Sequence, residues 1–138
     1  MLVYLASPYT PHHGESVEDR VEKVTKIAAR LMENGMEVFC PIAHSHAIAE
    51  HLPDALRYDH EFWMKQDLPV LDKCDMLIIA QLEGWKESKG VREEFEFATK
   101  KGMQIGMLDP VAFMEAPIQK MEKSRIIVPE LVMKKEKK

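Results

Sequence analysis

The run Asp75-Met76-Leu77-Ile78-Ile79-Ala80 carries five consecutive apolar residues with none of the polar alternation of a half-exposed strand. Such a run is expected where helices cover both faces of a parallel sheet, so it predicts a central strand and, with it, an α/β architecture. The rest of the chain is compatible with that core. Leu2-Val3-Tyr4-Leu5-Ala6 is a short β-prone run closed by Ser7-Pro8-Tyr9-Thr10-Pro11, whose prolines end regular structure. Met36 to Cys40 and Met103 to Leu108 read as further strands, and a last one is expected near Ile126 to Val128.

Helical patterns separate these strands. Val17, Val21, Val24, Ala28 and Leu31 recur at steps of three and four after Ser16, a candidate N-cap, and Asn34-Gly35 supplies a stop. Ala55 to about Lys73 predicts one helix, or two pieces divided near Pro69. Gly90 to Lys101 predicts a helix stopped by Gly102, and Val111 to Met121 a shorter one. Pro41 to Pro53, rich in histidine, reads as a loop. The alternation implies a single doubly wound domain of the Rossmann or flavodoxin-like kind, with a mainly parallel five-stranded sheet. Ligands in such folds sit at the carboxyl ends of the strands, which singles out Ser7 to Glu15, Pro41 to Pro53 and Gln81 to Lys89.

Charge and composition narrow the class. A formal charge of -4 is wrong for a general nucleic-acid binder, and the basic residues of 130–138 read as a solvated tail. The apolar runs are too short to span a bilayer and the N-terminus lacks a signal peptide's charged start, so no membrane partner is expected and the cytoplasm is the expected compartment. Cys40 and Cys74 follow apolar stretches without a CxxC partner, which suits buried reduced thiols.

Two carboxylates stand where chemistry could occur. Val91, Phe95, Ala98 and Gly102 mark the core-facing stripe of the 90–101 helix, and Glu94 borders it while Glu93 and Glu96 project away. A carboxylate beside the core needs stabilisation, which N–H groups of the helix's first turns could give. The simpler reading is a glutamate that complements the helix dipole, and pattern alone favours it. Asp67 shares a face with Met64, Leu68 and Leu71 if its helix continues; otherwise it caps a new turn containing Pro69.

Taken in order, Tyr4-Leu5-Ala6-Ser7-Pro8-Tyr9, Gln66-Asp67-Leu68 leading to Ala80, and Ser88 through Ala98 resemble the nucleoside 2-deoxyribosyltransferase-like superfamily, including its 2′-deoxynucleoside 5′-monophosphate N-glycosidases. The resemblance runs from Leu2 to about Leu108, and Pro41 to His46 looks like an uncharacterised bacterial and phage branch of it. It implies one such domain over 1–138, with Glu94 as catalytic glutamate, Asp67 as the aspartate that contacts the base and assists its departure, and Tyr4 as the tyrosine that holds the glutamate. Cleavage at C1′ develops oxocarbenium character, which a carboxylate captures while an acid helps the base leave. No cofactor or metal is implied. A homodimer or higher homo-oligomer is, because members commonly complete the pocket with a neighbouring subunit.

The transferases carry an aspartate for the sugar's 5′-hydroxyl six residues before the nucleophile, where this chain has Ser88, as the nucleotide-cleaving branch does. A serine can donate to a phosphate that an aspartate would repel, and Lys86, Lys89 and Arg92 put positive charge nearby. Ser7 and Ser88 are therefore expected as phosphate donors, with Gly90 allowing close backbone approach. His44 and His46 are candidates for hydrogen bonding to base or phosphate, with plain surface histidines an equal alternative, and Trp85 could stack on a base while Trp63 suits the core. His44, His46, His51, His60 and Asp59 invite a metal, but a loop gives the H-x-H spacing no fixed geometry. The expected function is N-glycosidic cleavage of a nucleoside 5′-monophosphate. The alternatives are a nucleoside 2-deoxyribosyltransferase and a noncatalytic nucleotide sensor, since one fold hosts many functions.

Overall fold

The computed structural model describes residues 1–11 and 13–116. Four strands, β1 (Leu2–Ala6), β2 (Glu37–Phe39), β3 (Met76–Ala80) and β4 (Gln104–Leu108), form one sheet in the order β2-β1-β3-β4 with every pair parallel. β3 is central as its apolar run requires, pairing with β1 from Val3↔Met76 to Ala6↔Ile79 and with β4 along its whole length. The five-stranded expectation is corrected to four among the described residues. The last strand, near Ile126–Val128, lies outside them, as do 130–138.

Strand alternation sorts the core into two layers. Val3, Leu5, Met76, Ile78, Ala80 and Leu108 pack with Val24, Ile27, Ala28 and Leu31 of α1 (Val17–Glu33) and with Phe113 of α6 (Pro110–Glu115). On the other face Tyr4, Ala6, Leu77, Ile79, Ile105 and Met107 meet Leu71 of α4 (His60–Lys73) and Val91 and Ala98 of α5 (Lys89–Lys101). Side chains two apart on a strand share a face, so one short strand feeds both layers. That arrangement puts Tyr4 on the α4/α5 side.

Helix ends follow local chemistry. Ser16 caps α1 through a reciprocal capping box with Asp19, and Gly102 ends α5 in the left-handed conformation at φ 78°. Val17 and Val21 are only half-buried, whereas Arg20 and Ile27 are buried in the stripe with Val24.

Three expectations about segments need correction. Pro41 to Ala49 is a helix, α2, rather than a loop: proline at the first helical position has its φ preset and no N–H to lose, and His44 N–H closes the first turn onto the Cys40 carbonyl at 3.0 Å. The segment before β3 divides at Tyr58–Asp59, not near Pro69, giving α3 (Asp54–Arg57) and then α4 with Asp59 as its N-cap. Pro69 sits inside α4, where Lys65 and Pro69 are both exposed, so the carbonyl left without an N–H is on the solvent side. Asp67 consequently caps nothing. The helix expected over Val111 to Met121 begins at Pro110, capped by Asp109, and is described to Glu115.

No described helix is long and apolar enough to cross a membrane. Both cysteines are buried free thiols.

Candidate active site

The parallel order brings the carboxyl ends of β1 and β3 side by side, so the chain leaving Ala6 and the chain leaving Ala80 rise from adjacent positions. The second of these reaches α5, whose N-cap is Ser88: its Oγ accepts from Val91 N–H at 3.3 Å. Glu94 is the sixth residue of α5, beyond the unpaired N–H groups of the first turn. The helix-terminus stabilisation expected for it is therefore not the one found. Its partner comes from the sheet, where the buried Tyr4 hydroxyl donates to Glu94 Oε2.

Glu94 is only 5% exposed, and this burial decides its protonation. Desolvation pushes its carboxyl from 4.5 up to about 8, against the opposing effect of the Tyr4 hydrogen bond; the negative charges of Asp67 and Glu93 add to the rise. The Tyr4 hydroxyl is held far above its ordinary value by burial and then by Glu94, so it stays a donor. Asp67, half-buried on α4, is raised to about 6 by desolvation, and the nearby His44 opposes this. The charge of Asp67 thus reaches both Glu94 and Tyr4, and the three groups form one electrostatic unit drawn from α4, α5 and β1.

His44 joins this unit. Its ring lies 5.4 Å from Phe39, which is itself 6.0 Å from the Tyr4 ring. His46 does not join it, because residues two apart on a helix point to opposite sides. Its Nδ1 instead meets the Tyr9 hydroxyl at 2.9 Å, and its Nε2 lies 3.7 Å from Glu18. His60 pairs with Glu93 at 2.9 Å, linking α4 to α5. Among the described residues, no group of three or more histidine, cysteine or acidic side chains is placed to hold a metal.

Ser7 follows β1 directly, is 7% exposed, and its Oγ has no hydrogen-bond partner among the described residues. Ser88 Oγ accepts a hydrogen bond as a cap, yet a hydroxyl that accepts keeps its own proton for donation. A Cβ on Gly90 would meet only Met64 Cε at 3.8 Å and Ser88 Oγ at 4.0 Å, both ordinary contacts, so the protein itself does not demand glycine there. Trp85 is half-buried against the Tyr4 layer, with Lys86 Nζ 5.7 Å above its ring. Trp63 is half-buried rather than core, and its indole N–H bonds the Arg57 carbonyl at 2.8 Å.

The sequence reading missed Arg20, which is buried and lies beside Glu15 and Glu83. Its spacing four before Val24 was the available signal, masked because an arginine is not expected on an apolar stripe. It also missed the Tyr9–His46 and His60–Glu93 contacts, which join separate elements and have no local signature.

Residues 1–109 match the family described as a domain of unknown function (DUF1937), and with most of its length so matched the chain belongs to that family. No curated protein matches it.

Proposed function

We propose that the protein cleaves the N-glycosidic bond of a nucleoside 5′-monophosphate. The observation that carries this reading is the buried Glu94 carboxyl, held by Tyr4 and electrostatically linked to Asp67. Two carboxyl groups in one cleft, one ionised to attack and the other protonated to assist departure, are what such a displacement needs. In the free protein at neutral pH the proton sits on Glu94 and Asp67 is mostly ionised, so the reactive form is the minor one in which that proton has passed, through solvent, to Asp67. Ionised Glu94 then attacks C1′ and the C1′–N bond breaks. Its electron pair passes to the base nitrogen, which is protonated directly or after tautomerisation by Asp67. Water hydrolyses the glycosyl ester, releasing the sugar phosphate and restoring the carboxylate.

The resemblance in motif order, from Tyr4 through Ala98, supports the same assignment. The 5′-phosphate is held by Ser7, whose buried hydroxyl has no partner among the described residues, with Ser88 and the backbone around Gly90. His44 stands beside Asp67 as a contact for the base, and Trp85 offers a ring beside Tyr4's layer. His46, engaged by Tyr9 and Glu18, holds the loop after β1 rather than substrate. A homo-oligomer that completes the pocket belongs to the same proposal.

A screen of ribo- and deoxyribonucleoside monophosphates, with chromatographic detection of free base, tests it. Release by the wild type and not by Glu94→Gln is the expected result. No release from any substrate sinks the reading in favour of a binding module, and transfer of the sugar to an added second base favours the transferase.

A further inference from the structure

Arg20 is 1% exposed, the most deeply buried of the described polar and charged side chains. It occupies the first turns of α1, where the helix dipole disfavours a cation, so both burial and position work against it. What offsets them lies on two loops. Nε is 3.0 Å from Glu15 Oε1, on the loop after β1, and an Nη2 proton goes to the Glu83 carbonyl, on the loop after β3. Glu15 is held again by Lys23 from the next turn of α1. A second contact joins the same loops at the surface, where His13 Nε2 lies 3.5 Å from Glu83 Oε1.

These loops leave adjacent strands of the sheet. One begins at Ser7; the other carries Trp85 and leads to Ser88. The guanidinium donates one directed proton to the Glu83 carbonyl while its charge faces the Glu15 carboxylate as an ion pair, a combination that a lysine ammonium on a flexible stem makes less well.

We propose that Arg20 is a positioning residue, locking the loop after β1 to the loop after β3 and so fixing the span between Ser7 and the Trp85–Ser88 segment. The inference rests on the proposed function for its kinetic consequence, while the locking itself does not. Arg20 lies on the α1 side of the sheet and Tyr4, Glu94 and Asp67 on the α4/α5 side. Losing the lock therefore widens the substrate's seat without disturbing the carboxyl pair.

The test compares wild type, Arg20→Met and Arg20→Lys by amide hydrogen exchange and by steady-state kinetics on the best nucleoside 5′-monophosphate. Removing one member of a buried ion pair is destabilising where it leaves the other uncompensated, but here Lys23 still pairs with Glu15. Should Arg20→Met fail to fold, Glu15→Gln removes one half of the lock and is read in the same way. The expected result is faster exchange at the hydrogen-bonded amides of both loops together, Ser16 in the first and Trp85 and Glu87 in the second, with β1 and β3 protected as before. KM is expected to rise about tenfold while kcat stays within about threefold, and Arg20→Lys to fall between. Loosening of one loop alone, uniform loss of protection across the sheet, or a fall in kcat at constant KM overturns the proposal. A wild type that releases no base defeats the proposed function instead, and the exchange result still decides whether Arg20 joins the loops.

Discussion

The Tyr4 hydroxyl and the Glu94 carboxyl, 90 residues apart in the chain, share a buried hydrogen bond between the middle of the first strand and the second turn of α5. If this carboxyl is the nucleophile, Glu94→Gln lowers the initial rate of base release by about three orders of magnitude or more, as removal of an attacking group does. Glu96 is exposed and Glu93 is paired with His60, so their glutamine variants retain most activity. Equal losses in all three folded variants would remove the assignment.

The dependence of rate on pH should carry both carboxyl groups. Attack needs Glu94 ionised and departure needs Asp67 protonated, yet Asp67 titrates near 6 and Glu94 near 8. Around pH 7 only on the order of one molecule in a hundred holds that combination. The kcat/KM profile then rises to about 6, stays level, and falls above about 8. Asp67→Asn removes the alkaline fall and leaves a rate that climbs with pH, its midpoint shifted down because a charge that raised Glu94 is gone. An alkaline limb that persists in this variant would separate Asp67 from the acid role.

Stability should respond to the same burial. Glu94 has a folded-state pKa near 8 against an ordinary 4.5, so its contribution is fully present below about 4.5 and is lost as pH rises through 8. A glutamine can still accept the Tyr4 hydrogen bond but never ionises. Thermal melts of Glu94→Gln should therefore gain on the wild type progressively between pH 5 and 8. A difference in Tm that is constant over this range would show that burial does not set the protonation of Glu94.

Phosphate preference is the fourth consequence. A 5′-monophosphate should be a better substrate than the matching nucleoside, and Ser88→Asp should weaken the nucleotide far more, because a second negative charge beside the phosphate is repulsive even when partly screened. Aspartate also serves as an N-cap, so α5 keeps its capping chemistry. Specificity constants for both substrates on both proteins decide the point. A wild type that favours the nucleoside would make the transferase reading the better one.

Gly90 offers a separate check. The space around it accepts a methyl group, so Gly90→Ala should fold with equal or greater stability, by up to about 1 kcal/mol from helix propensity. If the backbone there approaches the phosphate, KM for the nucleotide rises in the same variant. Unchanged KM with raised stability would mean that the glycine serves no ligand.

The chain announces its main elements through local chemistry. The apolar run of β3, the capping box at Ser16 and the left-handed stop at Gly102 are decided by residues close together in sequence, which is why they are legible there. Glu94 bordering an apolar stripe was legible for the same reason. The α2 helix was obscured because Pro41 signals both a break and a first helical residue, and Asp67 was ambiguous because Pro69 suggested a division that exposure of Lys65 and Pro69 makes unnecessary.

Sequence by itself thus determined an α/β chain with a buried parallel core and a carboxyl group at the edge of a helix's apolar face. Only the motif resemblance had paired this carboxyl with Tyr4, and tertiary structure alone decided that Asp67 lies within its electrostatic reach, that His44 acts on Asp67 while His46 turns to Tyr9 and Glu18, and that Arg20 is buried beside two loops. Hydrogen bonding along a helix and alternation along a strand act over a few residues. Desolvation and charge pairing depend instead on which strands become neighbours, and no local pattern encodes that.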